Sequence, residues 1–243
     1  MILNWGKILW ILGALLFFLS GCNELTEKKI PKELTAQEIY LQAEQKLKEN
    51  LNAEAAGLYA KVERLYPYSE WAKKSLLMSA VANHQGAFYD ESRADAERYL
   101  DFYPADTNAA YAQYLIALSY YDQIDNVSRD QSVTFKALQA FRTVIERYPD
   151  SEYTSPSLLK FDLSLDHLAG AEMEIGRYYL KRGHFGAAIS RFRVVVEEFE
   201  TTSHTPEALH RLVESYLSLG LNANAQTTGA ILGHNFQASD WYK

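Results

Sequence analysis

The chain has 243 residues, 48% of them hydrophobic and 23% charged, with a formal net charge of -7. That length supplies a sizeable core in one or two domains, the balance is that of a folded chain, and the acidic surplus argues against a nucleic-acid surface, which is usually basic. The single cysteine, Cys22, excludes an intrachain disulfide but no compartment.

The first element in the chain is apolar. Lys7 is the only basic side chain before the run from Ile8 to Leu19. About a dozen residues are too few to cross roughly 30 Å of hydrocarbon as a helix, and they match the apolar region of a secretory signal. The run ends Leu19-Ser20-Gly21-Cys22, with small residues where a signal peptidase cuts. This tetrapeptide resembles a lipobox, the processing signal of bacterial lipoproteins. The resemblance implies a signal peptide over residues 1–21, cut between Gly21 and Cys22. It also implies lipid attachment at Cys22, with diacylglycerol on the sulfur and an acyl chain such as palmitate on the amine. Two or more chains hold a protein firmly to a membrane, and no transmembrane helix remains. Asn23, where aspartate favours retention at the inner membrane, points to the outer one. Residues 22–34 are polar, aperiodic and contain Pro31. They read as a lipidated N-terminus and flexible tether, about 40 Å long when extended.

The rest of the chain repeats. Three amphipathic stretches close on an aromatic residue and a proline, at Pro67, Pro104 and Pro149, and a fourth closes at Phe199 without the proline. Proline stops a helix because it lacks the N–H and clashes with the preceding turn. Between these stops the pattern is helix, turn, helix. The clearest unit places Ile175, Gly176 and Tyr179 on one helix, Gly183 at its end, and Ala188, Phe192 and Val195 on the next. Small residues let two helices approach and aromatics fill the space beside them. The same positions recur as Ala43, Ala55, Tyr59 and Val62, then Ala80, Ser92, Ala96 and Tyr99, then Ala117, Tyr120, Ala137, Phe141 and Val144, and finally Leu212, Tyr216, Gly220, Ala225 and Leu232. Asn83 stands where an aromatic is usual. The period and pattern are those of tetratricopeptide repeats, so the expected fold is an all-α superhelical solenoid of about five repeats. Three repeats over residues 35–150 form an N-terminal block; a long helix and two repeats over 151–243 form a C-terminal block. The third repeat carries an insert around Asp130, which is placed to cap the next helix. The fourth opens with a helix from about Ser155-Pro156 to Arg182, with proline in its first turn.

No chemistry accompanies this pattern. The six histidines form no H-E-x-x-H and no metal-ligand spacing. There is no nucleophile elbow or phosphate-binding glycine loop. Glu172 and Glu174 are expected on different faces of their helix. The chain is therefore expected to be no enzyme, with no cofactor and no metal, and to work through its surfaces. Stacked helical pairs form a curved groove suited to peptides or helices, and tyrosine is favoured at interfaces.

Three phrases extend the reading over nearly the whole chain: "YLIALSYYDQI…RDQ" from Tyr114 to Gln131, "EMEIGRYYLKRGHFGAAISRF" from Glu172 to Phe192, and "TPEALHRLVESYLSLGL" from Thr205 to Leu221. With the lipobox and tether, they resemble the BamD (ComL-like) family of outer-membrane assembly lipoproteins. That resemblance implies a scaffold on the periplasmic side of the outer membrane, held through its lipid anchor. The implied partners are BamA POTRA domains, other outer-membrane assembly lipoproteins and unfolded β-barrel protein segments. The C-terminal repeats would contact BamA, which makes Arg191, Arg193, Tyr178 and His184 candidates for partner binding. Tyr121, Asp122, Gln123 and Arg129 are candidates for a groove or for packing the insert. Another repeat lipoprotein of the envelope, serving pili or peptidoglycan enzymes, is the alternative reading.

Overall fold

The predicted stops are real and uniform. Tyr66, Tyr103 and Tyr148 leave the helical conformation at φ of -134°, -133° and -131°, with ψ of 53° or 54°. Each precedes a proline, whose ring excludes the helical conformation from the residue before it. Phe199 and Phe236 adopt the same φ range without a following proline, at ψ of 35° and 40°. The computed structural model describes residues 33–243. Among them ten helices occur and no strand, and Ala36–Lys243 form one compact unit. The expected signal peptide, the tetrapeptide resembling a lipobox and most of the expected tether lie outside the described residues.

The helices pair as expected: α1 (Ala36–Lys48) with α2 (Asn52–Leu65), α3 (Glu70–Gln85) with α4 (Tyr89–Phe102), and α5 (Ala109–Tyr121) with α6 (Ser132–Arg147). The fourth pair is α7 (Thr154–Lys181) with α8 (Phe185–Glu198), and the fifth is α9 (Thr205–Ser218) with α10 (Asn222–Asn235). Every helix packs on its neighbours in the chain, and α1, α3, α5 and α7 also touch in sequence as an inner row. This is the tetratricopeptide solenoid.

Within four pairs the turn is the same. A residue in the left-handed region, Asn50, Ala87, Gly183 or Gly220, has φ between 59° and 75°. It is followed by Leu51, Phe88, His184 or Leu221 at ψ of 61–68°. Glycine accepts that conformation freely, whereas alanine there costs about 1–2 kcal/mol. Gly86 sits one residue too early to supply it. A Cβ at Gly86 would lie 2.8 Å from the Phe88 ring and 3.1 Å from Asn52 Cβ, so close approach is what requires glycine at that position.

Size compensation sets how closely the paired helices pack. Gly176 faces Phe192 and Val213 faces Gly229; at the equivalent positions of the other pairs, read from the sequence offset, stand Ala43 and Tyr59, Ala80 and Ala96, and Ala117 and Phe141. Tyr59, Phe141 and Phe192 are fully buried, each contributing about 1.5–3 kcal/mol of transfer free energy. In the last pair the order inverts, and a Cβ at Gly229 would meet Val213 at 3.8 Å. In the second pair the aromatic moves one turn along to Tyr99, and Asn83 joins Ser79 in donating to Asp95, at 3.1 and 2.6 Å. That polar set explains the missing aromatic at position 83.

A second regularity lies three residues after each aromatic stop. Ser69, Asp106, Ser151, Thr202 and Ser239 each donate a backbone N–H to the stop's carbonyl at 3.0–3.1 Å. All but Thr202 also accept a backbone N–H from the next segment on their side chains. Ser69 Oγ accepts from Ala72 N at 3.1 Å, where it caps α3. Asp106 does most. It accepts from Lys73 Nζ at 2.7 Å, from the Tyr99 hydroxyl at 2.6 Å and from Asn108 N at 2.9 Å, tying α3, α4 and α5 together. Hydrogen bonds from Lys73 and Tyr99 hold its carboxyl well below the ordinary carboxylate range. A depressed folded-state pKa is stability present above the unfolded value, near 4, and lost as pH falls toward the folded one. Asp106→Asn is expected to cost about 2 kcal/mol at pH 7, where a charged acceptor becomes a neutral one. The gap between the two proteins should shrink below about pH 4; denaturant unfolding across that range measures it.

Two expectations need correction. Asp130 does not cap α6, whose N-cap is Gln131. Asp130 accepts instead from the Ser132 hydroxyl, while Gln131 Nε2 donates to the carbonyls of Val127 and Arg129 and closes the insert on itself. Glu172 and Glu174 are not divided between separate surfaces, since both line one cavity beside the insert.

Candidate functional site

The insert in the third repeat is eight residues longer than the turns of the other repeats, read from the spacing of the facing positions. A chain that long cannot close tightly on its own helices, and it folds over the neighbouring repeat. Val127, Ser128, Arg129 and Gln131 of the insert and Ala171, Glu172, Glu174, Ile175, Tyr178 and Tyr179 of α7 enclose a cavity of about 380 Å³, open to solvent. The helix supplies an apolar and aromatic wall, with Ile175 and Tyr178 37% and 51% exposed.

Charges ring this cavity in pairs. Glu172 accepts from Arg191 Nη1 of α8 at 3.1 Å, with the arginine side chain 43% exposed. Arg129 pairs with Asp125 at 3.2 Å, and the Arg182 guanidinium lies over the Tyr178 ring at 4.3 Å. The exposed Arg129–Asp125 pair contributes little to stability, about 0–1 kcal/mol, and the half-buried Glu172–Arg191 pair still leaves its guanidinium open to solvent, so both arginines can exchange partners with another protein. Arg193 is spoken for within its own helix, donating to Glu197 at 2.6 and 2.9 Å. His184 sits at the N-cap of α8 with its ring edge-on to Tyr179 at 6.3 Å.

The other predicted residues lie apart. Tyr121 packs edge-on against buried Phe141 at 5.8 Å, under Lys160 at 4.3 Å from its ring, so it flanks the core. Asp122 lies 3.2 Å from His84 Nε2 and joins the second repeat to the third. Gln123 donates to the Ser119 carbonyl at 2.6 Å. The structure therefore brings Arg129 and Tyr178 to one cavity, with Arg191 at its edge through Glu172, and leaves Tyr121, Asp122 and Gln123 in packing contacts. Cys22 is outside the described residues. The sequence did not single out Glu172 or Ile175 for this site; their signal is only helical spacing along α7, Ile175 standing three and four residues before Tyr178 and Tyr179 and Glu172 three before Ile175.

Groups with displaced proton affinity hold helices together elsewhere. Burial pushes the His84 imidazole down against the pull of Asp122. Burial also pushes Asp95 up, with Ser79 and Asn83 resisting. Burial raises Glu207 too, but its pairs with Arg177 and Arg211 bring it below the ordinary value. Among the described residues no cluster of histidine and carboxylate side chains could hold a metal ion, and no helix is long and apolar enough to cross a membrane.

A model of the YfiO family, described as outer membrane lipoprotein, matches residues 32–231. The chain is 51% identical over 189 residues to a Caulobacter vibrioides protein named outer membrane protein assembly factor BamD, a match covering 78% of this chain and 62% of that one. A Rickettsia prowazekii protein of the same name is 39% identical over 97% of this chain and 95% of its own length. A Neisseria meningitidis relative, also so named, is 28% identical over 88% and 84%. Among solved structures, a MamA protein is 15% identical, covering 86% of this chain and 96% of that chain at a TM-score of 0.36.

Proposed function

Because this chain belongs to the YfiO family of outer membrane lipoproteins, we propose that it is a non-catalytic scaffold in the assembly of β-barrel proteins into the outer membrane. The observation that carries this reading is the family match over nearly all of the described solenoid, together with relatives named as assembly factors. In this reading residues 1–21 are a signal peptide and Cys22 carries the lipid that anchors the protein on the periplasmic side. Residues 22–34 are the tether; 35–150 and 151–243 are two blocks of repeats. The cavity between the insert and α7, with Tyr178, Arg129 and the Glu172–Arg191 pair, is the partner surface. Its occupant is a POTRA domain of BamA. Exposed aromatic area beside exchangeable arginines is the composition that interfaces favour.

The test is depletion of the protein in its own cell, followed by profiling of the outer membrane. Loss of β-barrel proteins is expected. Normal barrel levels with defective pili or peptidoglycan would replace this reading with the alternative envelope scaffold.

A further inference from the structure

The helix α7 has 28 residues, against 13–16 in the first helix of every other repeat. Its own partner covers only part of it. Phe192, Val195 and Phe199 of α8 pack against Leu168, Ala169 and Met173, and Phe192 reaches Gly176. The N-terminal half, from Thr154 to about Asp166, overhangs. On one side it rests on the core of the third repeat through Phe161. The opposite stripe, Leu158, Leu159, Asp162, Leu163 and Asp166, falls within one helical face by the 3.6-residue period. Leu158, Leu159 and Leu163 are 45%, 63% and 49% exposed. Leu159, Asp162, Leu163 and Asp166 of this stripe, with the Thr201–Ser203 turn, line a groove of about 280 Å³.

Three large aliphatic side chains on one solvent face are unusual for a surface helix. The place beside them is the one a second helix fills in a regular repeat, here about 13 residues or 20 Å long. The rim is acidic. Asp166 accepts from Ser203 N and Oγ at 3.1 and 2.7 Å, while Asp162 is exposed at the groove edge.

We propose that this overhang is a second docking site, distinct from the cavity at Arg191, and that its occupant is an amphipathic helix of three to four turns. Its apolar ridge enters between Leu159 and Leu163, and lysine or arginine on its flank meets Asp162 and Asp166. Helices laid in apolar grooves are recognised by side chains at i, i+3 or i+4, and i+7, a spacing the leucine stripe can receive.

The test titrates the purified full chain with a capped 14-residue helical peptide carrying leucines at that spacing and lysines beside them, read by fluorescence anisotropy. Saturable binding is expected, weakened at least tenfold by Leu159→Ser with Leu163→Ser and at least threefold by Asp162→Lys, and unchanged by Arg191→Glu. The same peptide with glutamate for lysine is expected to bind at least tenfold more weakly. Equal binding to wild type and the leucine variant would mean that the peptide sees only the net negative charge, and would overturn the proposal. A concentration-dependent dimer abolished by the leucine variant would overturn it in favour of a second copy of the chain. Thermal melts of each variant confirm that the solenoid is intact.

Discussion

Gly176→Leu is expected to be the most damaging single substitution in the solenoid. A Cβ at position 176 would run into Phe192 Cε1, with Cδ1 and Cζ of the same ring at 2.8 and 2.9 Å. No real Cβ tolerates such contact, so even alanine, despite its better helix propensity, must displace the ring. Phe192 is fully buried where α8 packs on α7, so the ring cannot swing into solvent without giving up that burial. Overpacking usually costs about 1–3 kcal/mol, and the added isobutyl group puts leucine at or above the upper end. For a protein of this size that is a fall in Tm of roughly 6–12 °C, measured by thermal melting. The last repeat supplies the rescue. There a larger residue at the equivalent position, Val213, faces Gly229. Gly176→Leu combined with Phe192→Ala should therefore melt above Gly176→Leu alone, a coupling opposite in sign to two independent losses. A melting temperature unaltered by Gly176→Leu would mean that α7 and α8 are not held this close.

The same pair shows what the sequence reveals of the fold. Aromatic-proline stops and small residues at fixed offsets are local features, so repeat count, helix pairing and the length of α7 could be read directly. Phe236 ends α10 as Phe199 ends α8, also without a proline, and it was not among the stops read from the sequence. The hydroxyl or carboxylate three residues after each stop recurs in all five repeats and was legible at a constant offset. Its role was not, because that depends on which helices the next repeat brings within reach. The site was less legible. Tyr121 and Tyr178 look alike in their tyrosine pairs, yet one lies against Phe141 and the other beside the cavity. What separates them is the insert, whose path over α7 arises from no periodic pattern. Loop residues such as Gln131 settle it through bonds to their own backbone.

Arg191 is the residue on which the proposed partner surface can be tested most sharply. Arg191→Glu is expected to weaken binding of a BamA POTRA domain about tenfold or more, a loss of about 1.4 kcal/mol or more that lies below the about 2–5 kcal/mol of a fully buried charged contact because the arginine is half-exposed. Taken alone, that loss is ambiguous. Arg191 also holds Glu172 at 3.1 Å across α7 and α8, and reversal sets two carboxylates against each other in the wall of the cavity. Weak binding could then come from a shifted wall. Exchanging the two charges, Glu172→Arg with Arg191→Glu, separates the causes. The exchange restores the intramolecular pair but leaves the guanidinium on α7 and the carboxylate on α8. If the partner reads the arginine from α8, the exchanged protein should fold as wild type and still bind about tenfold more weakly. If the pair acts only by holding the helices, the exchange should return affinity to the wild-type value, and Arg191 would be a positioning residue. Titration calorimetry of the three proteins with the same POTRA domain, beside their melting curves, distinguishes the outcomes. Because the pair is only half-buried, with the arginine side chain 43% exposed, its own contribution to stability should be about 1 kcal/mol, so a loss of affinity much larger than the loss of stability is the result the proposed surface requires.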